Sequence, residues 1–348
     1  MDMIARVGIL LLLLLSSAFA GERFTFIYYY AWYANPAYDG QWLHWQDYGH
    51  HPPQDVSSAF YPKLAAYSSS DPWVINQHMK WIAEAKINVV IYSWWGQNDP
   101  TNITARAVLD AAADYNLSVA FLIEPYLGRS PRSICDDIDY LQRRFGKHPA
   151  FFKMAYQTPY HSGKHASPPF FIYQPEYSYE ELRALADHAR NSAGKPLILF
   201  QSTDANFMSR THADGIFAYE AVQPIMNFYR DITRAVREKH GFFVACVSPG
   251  FNINKTIGVR SLLFQSRRAG RSYDRWWEKA ISADSEFVAI ISFNEWHEGT
   301  QIEPASYMRD PPHRYLNYQG AFGKKGGAAQ DSYLLRTARW SDILQQLP

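Results

Sequence analysis

The sequence predicts a (β/α)8 barrel on three observations: eight short apolar or aromatic runs, a longer helical pattern after each, and the unbroken apolar character of most runs. Continuous apolar strands are expected where both faces of a parallel sheet are buried. The strands are expected at 24–30, 87–93, 118–124, 169–173, 196–200, 214–219, 242–248 and 287–293. Helices are expected at 72–86, 103–115, 132–146, 178–193, 204–212, 226–240 and 271–285, with a last one at 331–345. Asp71-Pro72 reads as an N-cap followed by proline at the first helical position, where a missing N–H loses no partner. Ser178 stands three residues before Glu181, the spacing of a capping box. Eight such units make a single barrel domain over 21–348, with no linker of interdomain length and no further repeat. Residues 31–70, rich in Tyr, Trp, His and Pro, are too long for a simple connection and are expected over the functional face. A second irregular stretch, 303–330, follows the last strand.

Composition narrows the partners. The 348 residues are 47% apolar and 19% charged, enough to bury a large core. Lys and Arg number 34 against 33 Asp and Glu, with no basic run to follow a phosphate backbone, so nucleic acid is excluded as a partner. Aromatic residues are abundant at 11 Trp, 24 Tyr and 21 Phe. A ring face stacks on the C–H face of a sugar while Tyr hydroxyls and indole N–H groups bond its hydroxyls, although any single ring serves equally well as core. At the N-terminus, Arg6 precedes an apolar run from Val7 to Leu15 that leads to Ala18-Phe19-Ala20. That pattern is a signal peptide over 1–20, which places the chain in the secretory pathway, secreted or lumenal. The run is shorter than the roughly 20 residues of a membrane span, so no stable membrane insertion is expected; an uncleaved Golgi or ER anchor is the alternative. Asn102-Ile103-Thr104, Asn116-Leu117-Ser118 and Asn254-Lys255-Thr256 are glycan acceptor sequons. Cys135 and Cys246 could form one bridge in that compartment but make no disulfide framework.

Barrel enzymes carry their reacting groups at the carboxyl ends of the strands. That rule selects Ser93-Trp94-Trp95, Glu124-Pro125-Tyr126, Tyr219-Glu220 and Asn294-Glu295-Trp296-His297-Glu298. Glycoside hydrolysis needs two carboxyl groups flanking the anomeric carbon, about 5 Å apart for retention. Glu295 and Glu298 would approach to about 5–6 Å in a turn or helical start beyond the strand. A carboxylate that caps the next segment or binds an arginine would explain either one alone, and explains both less well with Asn294, Trp296 and His297 interleaved. Glu303 reads as solvated or supporting. His44, His50, His51 and His297 are metal-ligand residue types, yet no HExxH or CxxC spacing accompanies them, so neither a metal nor a cofactor is expected. His44 and His297 are expected instead to bond sugar or orient carboxylates. No GxSxG elbow points to a serine nucleophile.

Longer blocks carry a resemblance. Tyr28-Tyr29-Tyr30-Ala31-Trp32-Tyr33-Ala34-Asn35-Pro36, Leu43-His44-Trp45, Pro52-Pro53-Gln54-Asp55, Ser58-Ala59-Phe60-Tyr61-Pro62, Tyr67-Ser68-Ser69, Ser93-Trp94-Trp95, Glu124-Pro125-Tyr126 and the segment from Ser292 to Glu303 resemble glycoside hydrolase family 99. These are the endo-α-1,2-mannosidases and related endomannanases. The resemblance implies endo-acting, retaining cleavage of internal α-1,2-mannosidic bonds (Man/Glc-α-1,3-Man-α-1,2-Man type) in an N-glycan or mannan, through a 1,2-anhydro sugar. It implies that Glu295 is the base that takes the O2 proton and Glu298 the acid that protonates the leaving oxygen. Glu298 should then be protonated with a raised pKa, and Glu295 ionised among donors. Tyr30, Tyr33 and His44 are implied near the reacting sugar, Glu124 and Tyr126 at the third strand, Tyr219 beyond the sixth, and Asn294 and His297 as further binding residues. Trp95 stands where animal Golgi members resemble one another in having Tyr and mannan-degrading bacterial relatives in having Trp, which implies a subsite favouring mannose over glucose. Two other readings remain: an endo-glycosidase on another α-linked glycan, and a non-catalytic mannose-binding protein.

Overall fold

The computed structural model describes residues 22–222, 224–307 and 315–347. The signal peptide expected over 1–20 lies outside the described residues. Eight parallel strands close into a barrel: β1 (Phe24–Tyr29), β2 (Val89–Trp94), β3 (Ser118–Ile123), β4 (Pro169–Ile172), β5 (Leu197–Gln201), β6 (Gly215–Phe217), β7 (Phe242–Val247) and β8 (Phe287–Ile290). Each is followed by a helix: α1 (Pro72–Glu84), α2 (Pro100–Asp114), α3 (Pro131–Phe145), α4 (Tyr179–Asn191), α5 (Ala205–Thr211), α6 (Tyr229–Arg237), α7 (Arg271–Ser282) and α8 (Ser332–Gln345). Strand β1 closes the ring between β8 and β2, with Phe26 opposite both Ala289 and Val89. Among the described residues no helix is long and apolar enough to cross a membrane.

The barrel interior is filled by phenylalanines. Phe26 packs edge-on against Phe171 and Phe287 at ring separations near 6 Å, and Phe171 against Phe217 at 5.3 Å. Above this layer Tyr28 meets Tyr219 at 4.9 Å, so the lumen is closed beneath its carboxyl-end mouth.

Most strands stop earlier than the apolar runs suggest. Strand β3 ends before Glu124, β4 before Tyr173, β6 before Tyr219 and β8 before Asn294. The chain leaves the ladder at these points and turns its polar side chains into the mouth. Helix starts follow the cap chemistry. Asp71 accepts from the Trp73 amide at 2.9 Å ahead of Pro72, and Ser178 with Glu181 forms a complete capping box. The same cap-then-proline device starts α2 at Pro100, three residues before the expected position, with Asp99 bonded to the Thr101 amide at 2.8 Å. Helix α6 is shorter than 226–240 because a 3-10 turn, Pro224–Phe228, precedes it.

Cys135 and Cys246 are both buried and free, so the possible bridge is absent. Cys135 sits on α3, which follows β3, and Cys246 on β7, four places away around the ring. The first sequon is equally spent on structure: the buried Asn102 amide accepts from the Trp94 indole and donates to the Gln97 carbonyl and the Tyr140 hydroxyl.

The stretch 31–70 lies across the carboxyl-end face. It is pinned to the last irregular stretch by the Lys63 amide on the Pro304 carbonyl (2.9 Å) and the Ser306 amide on the Tyr61 carbonyl (2.7 Å). Lys255, from the connection after β7, holds Asp55 at 2.8 Å.

Candidate active site

The segment after β8 is a tight irregular turn whose backbone is fixed from three directions. Asn294 acts as a clamp: its side chain accepts from the Tyr30 amide at 2.8 Å and donates to the Tyr30 carbonyl at 2.7 Å, joining the ends of β1 and β8. The Tyr33 hydroxyl donates to the Asn294 carbonyl and accepts from the Trp296 amide at 3.0 Å. Below the turn, the Trp296 indole and the Tyr67 hydroxyl both donate to Glu303, at 3.0 and 2.8 Å. The Asn252 amide donates to the Glu298 carbonyl at 2.7 Å. Gly299 holds φ +63°, and a Cβ there would lie 2.9 Å from the Asn252 carbonyl oxygen, so both conformation and space require glycine.

This turn delivers Glu295 and Glu298 to one cavity of about 120 Å³, with Tyr30, Trp32, Trp95, Leu122, Glu124, Tyr173 and Tyr219 as its other lining residues. The Tyr30 and Tyr219 hydroxyls are hydrogen-bonded to each other. Trp32 lies over the His44 ring at 4.6 Å and faces Trp95 at 5.8 Å. Trp95 also borders a second, more open cavity of about 630 Å³ with Gln97, Pro125, Tyr126 and Asp137, so the two spaces share one indole.

Glu124 and Glu295 are buried and Glu298 is half-buried with its Oε2 inaccessible, and the three differ in their partners. Glu124 accepts from Ser93 Oγ at 2.8 Å, and Ser93 Oγ in turn accepts from the Trp95 indole at 3.0 Å. Burial pushes the Glu124 carboxyl up to about 8, against the lowering effect of the Ser93 bond and Arg129. Burial alone pushes Glu298 up to about 7, and its Oε2 is buried without a hydrogen-bond partner. Glu295 is raised by burial and by the Glu298 charge, but the backbone amides of His297 (2.9 Å) and Glu298 stabilise its ionised form. The two carboxyls compete for one proton: the Glu298 charge raises Glu295, while the His297 and Glu298 amides, which point at Glu295 only, favour its ionised form.

A family model for Glycosyl hydrolase family 99 matches residues 20–346. The chain belongs to that family. It is 29% identical over 355 residues to the glycoprotein endo-alpha-1,2-mannosidase of Mus musculus, covering 92% of this chain and 74% of the relative. The Xenopus laevis protein of that name is 31% identical over 359 residues, covering 91% and 76%. Among solved structures, the family 99 endo-alpha-mannosidase of Bacteroides thetaiotaomicron matches with a TM-score of 0.81 at 30% identity, over 92% of this chain and 97% of that one.

As a family 99 member the protein is a glycoside hydrolase. Of the residues selected from sequence, Tyr30, Trp95, Glu124, Tyr219, Glu295 and Glu298 share the small cavity. Tyr126 lines the adjoining one, its hydroxyl bonded to Ser133 and Asp137. Tyr33 and Asn294 are buried behind the turn and support it. His44 Nδ1 bonds Asp47 at 2.9 Å, and His297 Nε2 donates to the His44 carbonyl at 2.7 Å. His44, Asp47 and His297 bring ligand-type atoms within 4.8 Å of one another, yet these bonds already engage His44 Nδ1 and His297 Nε2. Burial lowers the His297 pKa, which favours the neutral ring. Glu303 is not solvated: it is fully buried beneath Trp296. Sequence reasoning passed over Trp32, Leu122 and Tyr173. Tyr173 directly follows β4, so the rule that selected Glu124 and Tyr219 selects it as well.

Proposed function

We propose that the protein is an endo-acting, retaining α-mannosidase that cleaves internal α-1,2-mannosidic bonds of an N-glycan or mannan. The observation that carries this reading is the asymmetry of the two glutamates: Glu295 accepts from backbone amides, whereas Glu298 has no donor at its buried Oε2. In an α-mannoside the 2-hydroxyl and the leaving group are axial and trans. Glu295 takes the O2 proton, O2 attacks C1 from behind, and Glu298 gives its proton to the departing oxygen. The resulting 1,2-anhydro sugar is opened at C1 by water, which returns a proton to Glu298 while Glu295 reprotonates O2. Two inversions give net retention, with no covalent bond to the enzyme. A buried Glu124 carboxyl held up to about 8 is a neutral donor at pH 7, suited to a sugar oxygen. The relatives named above are endo-mannosidases, which supports the substrate class. The N-terminal pattern supports passage through the secretory pathway, and sequencing the mature N-terminus tests cleavage after Ala20.

Incubation with α-mannan or a high-mannose glycan, followed by chromatography, is expected to release oligosaccharides rather than single mannose units. The same assay on an α-glucan is expected to release nothing, since an axial 2-hydroxyl is absent there. No product from any α-mannoside would leave only a sugar-binding role. Trp95→Ala is expected to raise KM about tenfold, as a ring face shared by both cavities is lost; steady-state kinetics on a defined tetrasaccharide measures this.

A further inference from the structure

Across the barrel from Trp95 and Tyr126, a separate cavity of about 310 Å³ opens between the connection after β6 and the start of α7. Strands β6 and β7 stand four places around the ring from β2 and β3, so this cavity and the one beside Trp95 flank the mouth on opposite sides. Its lining includes Arg268, Arg271 and Arg275, the polar Asn227 and Gln265, and Trp276, with no Asp or Glu. Among the described residues none of the three guanidiniums has an ion-pair or hydrogen-bond partner. Neighbouring Arg267 is different: it donates to the Gly299 and Gln301 carbonyls and lies over three aromatic rings, which is a structural role.

Among the described residues three exposed arginines thus line one cavity without an acid among its walls, in a chain of net charge +1. Local preferences also run against this arrangement. Arg271 opens α7, at the positive end of the helix dipole. Arg268 and Ala269 both hold left-handed φ values, 49° and 52°, which cost about 1 kcal/mol each for residues with a Cβ. Gly270 follows at φ 93°, where a Cβ would come within 2.3 Å of Phe322. Backbone strain of this kind clusters at ligand sites.

We propose that this cavity binds a phosphate or sulfate ester carried on a glycan unit outside the mouth, so that the enzyme favours anionic glycans over neutral ones. A carboxylate is satisfied by one guanidinium fork, whereas three forks match a tetrahedral oxyanion with several free oxygens. The proposal rests on the glycosidase reading for its substrate, and the cavity itself is tested without turnover.

The first measurement is calorimetric titration of the full chain with inorganic phosphate, and separately with sulfate, at low salt. One anion per chain is expected, weakened about tenfold by each of Arg268→Gln, Arg271→Gln and Arg275→Gln, the loss of roughly one charge-assisted bond. The second compares kcat/KM for a neutral manno-oligosaccharide with its phosphorylated and sulfated counterparts. The ratio of at least one ester to the neutral sugar is expected to exceed one in the wild type and to fall to about one in the triple variant; which ester prevails identifies the source. Absence of saturable anion binding, or a ratio that the three substitutions leave unchanged, overturns the proposal. If the neutral oligosaccharide is not cleaved at all, the glycosidase reading fails while the titration still decides the cavity.

Discussion

Glu298→Gln is expected to lower kcat on an α-mannoside by about 1,000-fold, the usual magnitude for losing a general acid, while oligosaccharide binding persists. The same substitution should stabilise the folded protein above neutral pH, because an enzyme that buries an acid holds it at the expense of stability. The Glu298 carboxyl is raised from 4.5 to about 7 by burial. A carboxyl whose folded pKa is raised imposes no penalty below the unfolded value, where both states are protonated. The penalty grows as pH rises from 4.5 to 7 and is complete above that, at about 3 kcal/mol. Glutamine cannot ionise and escapes it. The variant should therefore melt several degrees higher than the wild type at pH 8 and equally at pH 4, as thermal unfolding would measure. Equal melting at pH 8 would show that Glu298 is not the desolvated acid. With Glu298 as the proposed acid, the rate is expected to fall as pH rises through about 7, and a pH–rate profile checks this.

Period and position carried most of this molecule. Strands such as Val89–Trp94 and Phe242–Val247 are buried on both faces and so read as continuous apolar runs. The strand ends were less legible. Phe293 is apolar and fully buried, but its amide bonds the Tyr28 carbonyl from outside the regular ladder, and hydropathy does not distinguish the two situations. That Glu295 and Glu298 line one cavity was legible because both follow the last strand, at the barrel mouth. Tyr33 and Asn294 show where that inference thins: a polar side chain beside a reacting one can serve the backbone rather than the ligand. The aromatic surplus divides similarly. Trp32, Trp95, Tyr30, Tyr173 and Tyr219 wall the site, whereas Trp45, Trp94 and Trp277 are fully buried core. The arginine-lined cavity had no sequence signal, since Arg268, Arg271 and Arg275 disappear into a total charge of +1 and only the fold brings them to one cavity.

Glu303→Leu is expected to be the most damaging change outside the cavity, lowering stability by about 3 kcal/mol or more. Glu303 is fully buried and accepts from two donors, Tyr67 Oη at 2.8 Å and the Trp296 indole at 3.0 Å, while His78 Nε2 lies 3.3 Å from its other oxygen without forming a hydrogen bond. Leucine is close in volume, so the core stays filled, but two buried donors are left with fewer acceptors at about 1–3 kcal/mol each. Tyr67 softens part of this loss, because its hydroxyl also lies 3.2 Å from the Trp296 indole and can accept from it. Urea unfolding measures the stability change. Kinetics separate the positioning role from simple loss of fold. Trp296 lies between Glu295 and His297, whose amide stabilises the Glu295 carboxylate, so freeing the indole misplaces the base relative to O2. At a temperature where the variant is still folded, kcat should fall by more than KM rises. Glu303→Gln keeps one acceptor oxygen and the shape of the side chain, and should recover much of the stability and part of kcat. If Glu303→Leu reduces stability but leaves kcat of the folded fraction intact, the buried glutamate supports the core alone and has no part in placing the catalytic turn.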